Sequence, residues 1–165
     1  MNQTQRDCDQ CAANTNSGAR CLNRTCKIAD LCWLHLKTQK GFAVKPSSVA
    51  GAGQGLYTLK EIKVSRAEKA RGKPIMKYGG EELTRAQLDA RYPDIDTQYV
   101  LKINNNKYLD GRSTQSGLGR YVNSCQNTGQ RCNAKYNTAG TLVAKKTIAP
   151  GKELLASYGA GFNFA

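Results

Sequence analysis

The sequence has no run of about 18 apolar residues, the length a membrane-crossing helix needs, so no transmembrane segment is expected. Its first residues, MNQTQRDCDQC, lack the apolar core of a secretory leader, which favours an intracellular setting. Acidic residues are scarce: 12 Asp and Glu stand against 25 Lys and Arg, a formal net charge of +13 at pH 7. That excess points to an anionic partner such as nucleic acid or a nucleic-acid-packaging complex, and says nothing about fold. An even cysteine count is missing too. Seven cysteines fit a reducing compartment better than a disulfide framework. No internal repeat or low-complexity segment occurs. The glycine-rich run lacks G-x-G-x-x-G spacing and precedes a strand pattern, which disfavours a dinucleotide-binding fold.

What is present is unevenly placed. Five of the seven cysteines and the single histidine fall between Cys8 and His35. Composition shifts sharply after Lys40, dividing the 165 residues into a Cys/His module at 1–40 and a larger domain at 41–165. A domain of roughly 120 to 150 residues buries about two-thirds of its unfolded surface and needs no staples. The short module has almost no core, so metal ligation would supply most of its folding free energy. Cys11, Cys21, Cys32 and His35 follow the pattern C-x9-C-x10-C-x2-H. Three thiolates and one imidazole suit a closed, tetrahedral, structural Zn²⁺ site. Cys8, in a C-x2-C with Cys11, and Cys26 are alternative ligands. This spacing, with Gly18-Ala19-Arg20-Cys21 and Cys32-Trp33-Leu34-His35, resembles the WRC-type zinc module. The resemblance implies association with DNA and nuclear proteins. Arg6, Arg20, Arg24, Lys27, Lys37 and Lys40 would contact phosphates without reading sequence.

From Gly41 onward the pattern is mainly β, in short strands with few helices. GFAVK and GLYTLKEI flank SSVAGAGQG, where Gly51, Gly53 and Gly55 could bring backbone close to a ligand or simply turn a hairpin. The basic run from Lys60 to Lys77 reads as a solvated face, or else a contact with DNA or an acidic partner. Thr84-Arg85-Ala86-Gln87 is a capping box opening one short helix that Tyr92-Pro93 stops. Asn104-Asn105-Asn106 turns a hairpin, and Ala149-Pro150-Gly151 is a type II turn. Leu118 to Tyr136, LGRYVNSCQNTGQRCNAKY, is polar and turn-rich between apolar runs, and reads as the floor of a cofactor site.

Four blocks then resemble, in order and spacing, the SET-domain protein lysine methyltransferases. They are Gly51 to Tyr57, Tyr78-Gly79-Gly80-Glu81, Gly119 to Cys125, and Ile148 to Leu154 running into Tyr158-Gly159. The resemblance implies a β fold with a pseudoknot, in which the Asn-bearing segment threads under the Tyr-bearing C-terminal strand. It also implies S-adenosylmethionine and a lysine peptide on opposite faces, meeting through a narrow channel. The expected substrate is a histone tail lysine on nuclear chromatin (of the host, for a viral member). The alternatives are a non-histone substrate, or a weakly catalytic SET domain serving as a DNA- or chromatin-binding module.

The chemistry requires a neutral lysine amine, and deprotonation at pH 7 costs roughly 4 to 5 kcal/mol from the reference pKa. A dry aromatic channel beside a cationic sulfonium lowers that cost. By resemblance, Tyr158 is the catalytic tyrosine and Tyr99 lines the channel. Ala52, Gly53 and Gln54 form the cofactor loop, Arg120, Asn123 and Ser124 its second contact, and Phe162 covers the adenine. The family's Asn-His pair reads Asn123-Ser124 here. Ala156 occupies the position where many members place Phe or Tyr, which implies room for di- or trimethylation. No cysteine follows Cys132, so the zinc-binding tail of many members is not expected. Cys125 and Cys132 are then expected as free thiols, with Phe162 and Phe164 or a partner closing the site.

Overall fold

A computed structural model describes residues 9–25, 30–93, 99–113 and 116–157. Its central feature is a five-stranded sheet whose order departs from the order of the chain. Strands β5 (Lys73–Lys77), β11 (Thr141–Ala144) and β10 (Ala134–Tyr136) pair antiparallel. Strand β12 (Leu155–Ser157) then enters between β10 and β9 (Asn123–Ser124) and runs parallel to both. Parallel neighbours cannot be joined by a tight turn. The C-terminal strand therefore lies between two segments laid down earlier, which is the pseudoknot expected from the sequence. Small side chains permit it: Ala134, Ala156 and Ser124 sit side by side across the three strands, all buried.

The main core lies under this sheet. Leu56, Val122, Leu142 and Leu154 are essentially inaccessible, and Ile148, Tyr121 and Ala156 pack with them. Each fully buried leucine contributes about 1.5–3 kcal/mol of transfer free energy. Leu56 comes from β4 (Gln54–Thr58), which pairs with β3 (Phe42–Pro46) as an antiparallel hairpin. The glycine-rich run is the loop of that hairpin, so it turns the chain. A second, smaller core joins helix α2 (Arg85–Arg91) to the sheet β6 (Glu81–Leu83), β8 (Lys107–Asp110), β7 (Val100–Asn104). The capping box forms as predicted, with Thr84 Oγ1 accepting from the Gln87 amide at 3.3 Å and Gln87 Oε1 accepting from the Thr84 amide at 2.8 Å. Buried Asp110 accepts from Arg91 at 3.0 Å, the Tyr92 hydroxyl at 2.7 Å and the Arg112 amide at 2.9 Å, tying helix to sheet.

Two expectations are corrected. The Leu118–Tyr136 segment is not one loop. It holds a 3-10 turn (Leu118–Tyr121), β9, a reversal and β10. Cys125 and Cys132, read as free thiols, are joined in a disulfide. Asn127 at φ 59° and Gly129 at φ 73° fold the intervening chain back on itself. The two Cα atoms then lie 5.3 Å apart, inside the bridging range. Among the described residues, no helix is long and apolar enough to cross a membrane.

Candidate active site and metal centre

The N-terminal cysteines converge. The strands β1 (Asp9–Gln10) and β2 (Arg24–Thr25) pair antiparallel and bring Cys11 and Cys21 together. The short helix α1 (Trp33–His35) places His35 one turn after Cys32, on the same side. The sulfurs of Cys11, Cys21 and Cys32 and a ring nitrogen of His35 all lie within 4.8 Å of one another. His35 Nδ1 is 3.5 Å from Cys11 Sγ and 3.3 Å from Cys32 Sγ. A tetrahedral zinc with Zn–S near 2.3 Å and Zn–N near 2.0 Å sets its ligands about 3.5 Å apart. The donor set and its spacing fit zinc. The three thiols are buried. Burial opposes ionisation of Cys32, but the His35 amide and the Asn23 and His35 side chains outweigh it and bring its pKa to about 6. At Cys21 the Asn23 amide favours the thiolate, yet burial and the sulfurs of Cys32 and Cys11 push the thiol up. A divalent cation would hold both as thiolates. Cys8 and Cys26 lie outside the described residues.

The second cluster lies where the hairpin loop meets the pseudoknot. Asn123 on β9 donates through Nδ2 to the Gln54 carbonyl at 2.9 Å and to Ser47 Oγ at 3.0 Å. It thus clamps both ends of the glycine-rich loop, whose Ser47 amide also donates to the Gly53 carbonyl at 2.8 Å. The loop itself is open. Gly51 and Gly53 have φ of 76° and 69°, and a Cβ on either would meet nothing within 4 Å. Among the described residues nothing covers these two positions, and the Asn123 amide is bonded to the end of the loop at Gln54. Ala52 is half-buried, while Gly53 and Gln54 are exposed.

Beneath the loop sits a carboxylate to which the sequence reading gave no role. Glu153 is buried and accepts from Ser47 Oγ at 2.6 Å, the Ser48 amide at 2.7 Å and Ser48 Oγ at 2.5 Å. Asn123 Nδ2 at 3.2 Å and the Tyr57 hydroxyl at 3.3 Å complete its shell. Burial alone would raise its pKa, but the donors from Ser47, Ser48 and Asn123 overcome that and hold it below the usual glutamate value. An acid in the otherwise apolar run Glu153-Leu154-Leu155-Ala156 was the available signal. Such a residue needs buried partners.

Other expected site residues fall as follows. Ser124 is buried beside Ala156, and its hydroxyl accepts from the Gln126 amide at 3.0 Å, capping the turn into the disulfide loop. Ala156 is fully buried in the main core. Arg120, read as a cofactor contact, turns its guanidinium to the protein instead. It donates to the Gly111 carbonyl at 2.7 Å, the Arg112 carbonyl at 3.0 Å and the Tyr121 hydroxyl at 2.7 Å. The same guanidinium lies 4.3 Å from the Tyr99 ring centroid, a cation–π stack that fixes this half-buried aromatic. The Tyr99 carbonyl accepts from the Tyr78 hydroxyl at 2.5 Å. Tyr158 and Phe162 lie outside the described residues.

A family model described as "SET domain" matches residues 53–159, from the open loop through the pseudoknot strand. The chain belongs to the SET-domain family. No curated protein matches it significantly. As a SET-domain protein it is a member of a lysine methyltransferase family whose enzymes use S-adenosylmethionine and lysine-bearing protein substrates. The loop 47–54, clamped by Asn123 and uncovered at Gly51 and Gly53, could hold that cofactor. The Cys/His cluster precedes the matched region and could hold zinc in its own right.

Proposed function

We propose that this SET-domain protein methylates lysine side chains of a histone tail, to the di- or trimethyl state, in a nuclear, chromatin-associated setting. The observation that carries the catalytic reading is the meeting of three separated segments. The open loop ending at Gln54, Asn123 of β9 and the strand leading into Tyr158 are locked together by hydrogen bonds and parallel pairing. When bound, S-adenosylmethionine supplies an electrophilic methyl on a sulfonium. Ala52, Gly53, Gln54, Arg120, Asn123 and Ser124 would hold it, with Phe162 covering its adenine side. Tyr158 and Tyr99 orient the lysine amine and keep water away, so that the neutral Nζ is favoured. Ala156 leaves volume for a substituted amine. In this reading residues 1–40 form a zinc-dependent module beside a catalytic domain at 41–165, and its basic side chains contact nucleosomal DNA. The +13 net charge supports a chromatin substrate over a neutral one.

The test is label transfer from S-adenosylmethionine to nucleosomes and, in parallel, to a whole-protein extract, with wild type and Tyr158→Phe. Histone labelling lost in the variant is the expected result. Labelling of another protein alone removes the histone assignment. No labelling, with DNA binding retained, favours the binding module. Mass spectrometry that finds only monomethyl-lysine removes the role given to Ala156.

A further inference from the structure

The Glu153 carboxylate faces five donor atoms from four residues that lie up to 106 positions away in sequence. The Tyr57 hydroxyl is shared with the Pro46 carbonyl at 2.9 Å, and Asn123 Nδ2 shares its two hydrogens among Gln54, Ser47 and Glu153. Its own backbone is fixed from both sides. Leu154 N donates to the Leu56 carbonyl at 2.7 Å, and the Glu153 carbonyl accepts from Asn133 Nδ2 at 2.7 Å. The side chain therefore has one place to be. We infer that Glu153 is a positioning residue, a latch that holds the 47–54 loop against Asn123 in its binding form before any ligand arrives. The inference rests on the reading of that loop as the cofactor loop.

Which donor meets which oxygen explains why a carboxylate is required. The Ser48 amide meets Oε2, whereas Asn123 Nδ2 meets Oε1. Hydroxyls can rotate to accept, but these two N–H groups cannot. Asn123 cannot turn its amide over either, because Nδ2 must donate to the Gln54 carbonyl. A glutamine at 153 has one oxygen and one NH₂, so in either orientation a fixed N–H faces an NH₂. Only an acceptor at both positions satisfies the set. Gly55 leaves the room for this. A Cβ there would stand 2.7 Å from Glu153 Cδ and closer still to Oε1. A third element joins from the disulfide loop, where Gln130 Nε2 donates to the Ser48 carbonyl at 3.0 Å.

The experiment compares wild type, Glu153→Gln and Asp110→Asn, the last a buried carboxylate in the separate α2 network. Amide hydrogen exchange is followed in the zinc-loaded protein without cofactor, and S-adenosylmethionine binding by calorimetry. In Glu153→Gln, exchange across 47–54 is expected to rise about tenfold and the Kd for S-adenosylmethionine to weaken by about tenfold, the scale of one lost charged hydrogen bond. Asp110→Asn should leave both within about twofold of wild type while lowering stability. Ser47→Ala, which removes one hydroxyl and no charge, is expected to move both readouts the same way by about threefold. It serves if Glu153→Gln does not fold. Loop exchange unchanged in Glu153→Gln and Ser47→Ala, or raised equally in Asp110→Asn, overturns the latch. A wild type that binds no S-adenosylmethionine, yet shows the exchange difference, removes the cofactor reading and leaves the latch standing.

Discussion

Gly55→Ala gives the sharpest physical test of the packing around Glu153. In the strand β4 an alanine is ordinarily an improvement, since removing the conformational freedom of glycine is worth about 0.5–1 kcal/mol. Here the new methyl would occupy the space of the Glu153 Oε1 atom, with Cδ at 2.7 Å and Cγ at 3.3 Å. Fixed backbone on both sides prevents Glu153 from moving as a whole, so the carboxylate must rotate away. Oε1 then loses the bonds from Ser47 and Asn123. Hydrogen bonds to a charged acceptor are worth about 1.5–3 kcal/mol each. Partial rehydration and the alanine gain offset some of this, leaving a net loss of about 2–4 kcal/mol. In a protein of this size each kcal/mol lowers Tm by roughly 2–4 °C, so a fall of about 5–15 °C is expected. Urea denaturation should show a lower midpoint at unchanged m. The decisive arm is the same substitution in a Glu153→Ala background, where the methyl meets no carboxylate. There Gly55→Ala should be neutral or stabilising by up to about 1 kcal/mol. Equal destabilisation in both backgrounds would refute the reasoning.

Three further outcomes follow from other parts of the molecule. The purified chain should carry one zinc by elemental analysis, with His35→Ala and Cys32→Ser each lowering the occupancy. Chelation should shift the emission of Trp33, the only tryptophan, which stands between two of the ligands. Undiminished zinc in both variants rejects this ligand set. Cys125→Ser should cost about 2.5 kcal/mol in an oxidised preparation by the chain-entropy argument for a separation of seven residues. It should cost nothing further under reductant, and a loss persisting there assigns the effect to packing instead. Glu153 and Asp110 both have lowered pKa values in the fold. For Asp110 burial opposes the lowering, and the Arg112 amide, Tyr92 and Arg91 prevail. Their contribution is complete above the ordinary carboxylate range near pH 4 and is lost as pH falls through the depressed folded values. Wild-type stability should therefore decline in acid more steeply than that of Glu153→Gln, and parallel curves would contradict the assignment.

Local chemistry made part of this fold legible in the sequence. Thr84 and Gln87 are three residues apart and cap one helix; three asparagines turn one hairpin; Cys32 and His35 sit one helical turn apart. Such features depend on neighbours in the chain, and each formed where its residues predicted. The pseudoknot was visible only through resemblance, because nothing in Leu155-Ala156-Ser157 states that it will run parallel to two earlier strands. The disulfide was not legible, because the lack of a cysteine after Cys132 argues against a metal there and leaves Cys125 and Cys132 as thiols, and the odd cysteine count adds nothing that pairs them. Parity cannot distinguish four converging thiol and imidazole ligands from two thiols brought together by a left-handed Asn127 and Gly129. The intramolecular partners of the Arg120 guanidinium were not legible either. A cation in a cofactor motif invites an anionic ligand, yet carbonyls at Gly111 and Arg112 are equally good acceptors once the fold supplies them.

Glu153 lies at the far end of this range. Its neighbours in sequence are lysine, leucine and alanine, and none of them accounts for it. Its partners come from the hairpin loop, from β4 and from β9, and the nearest of them in sequence, Asn123, is 30 positions away. Glu153 stands two residues before β12, so the carboxylate and the strand that completes the knot are close neighbours in the chain. Loosening of β12 should therefore loosen the 47–54 loop as well, read as faster amide exchange in both segments, and exchange that rises in the strand alone would separate the two.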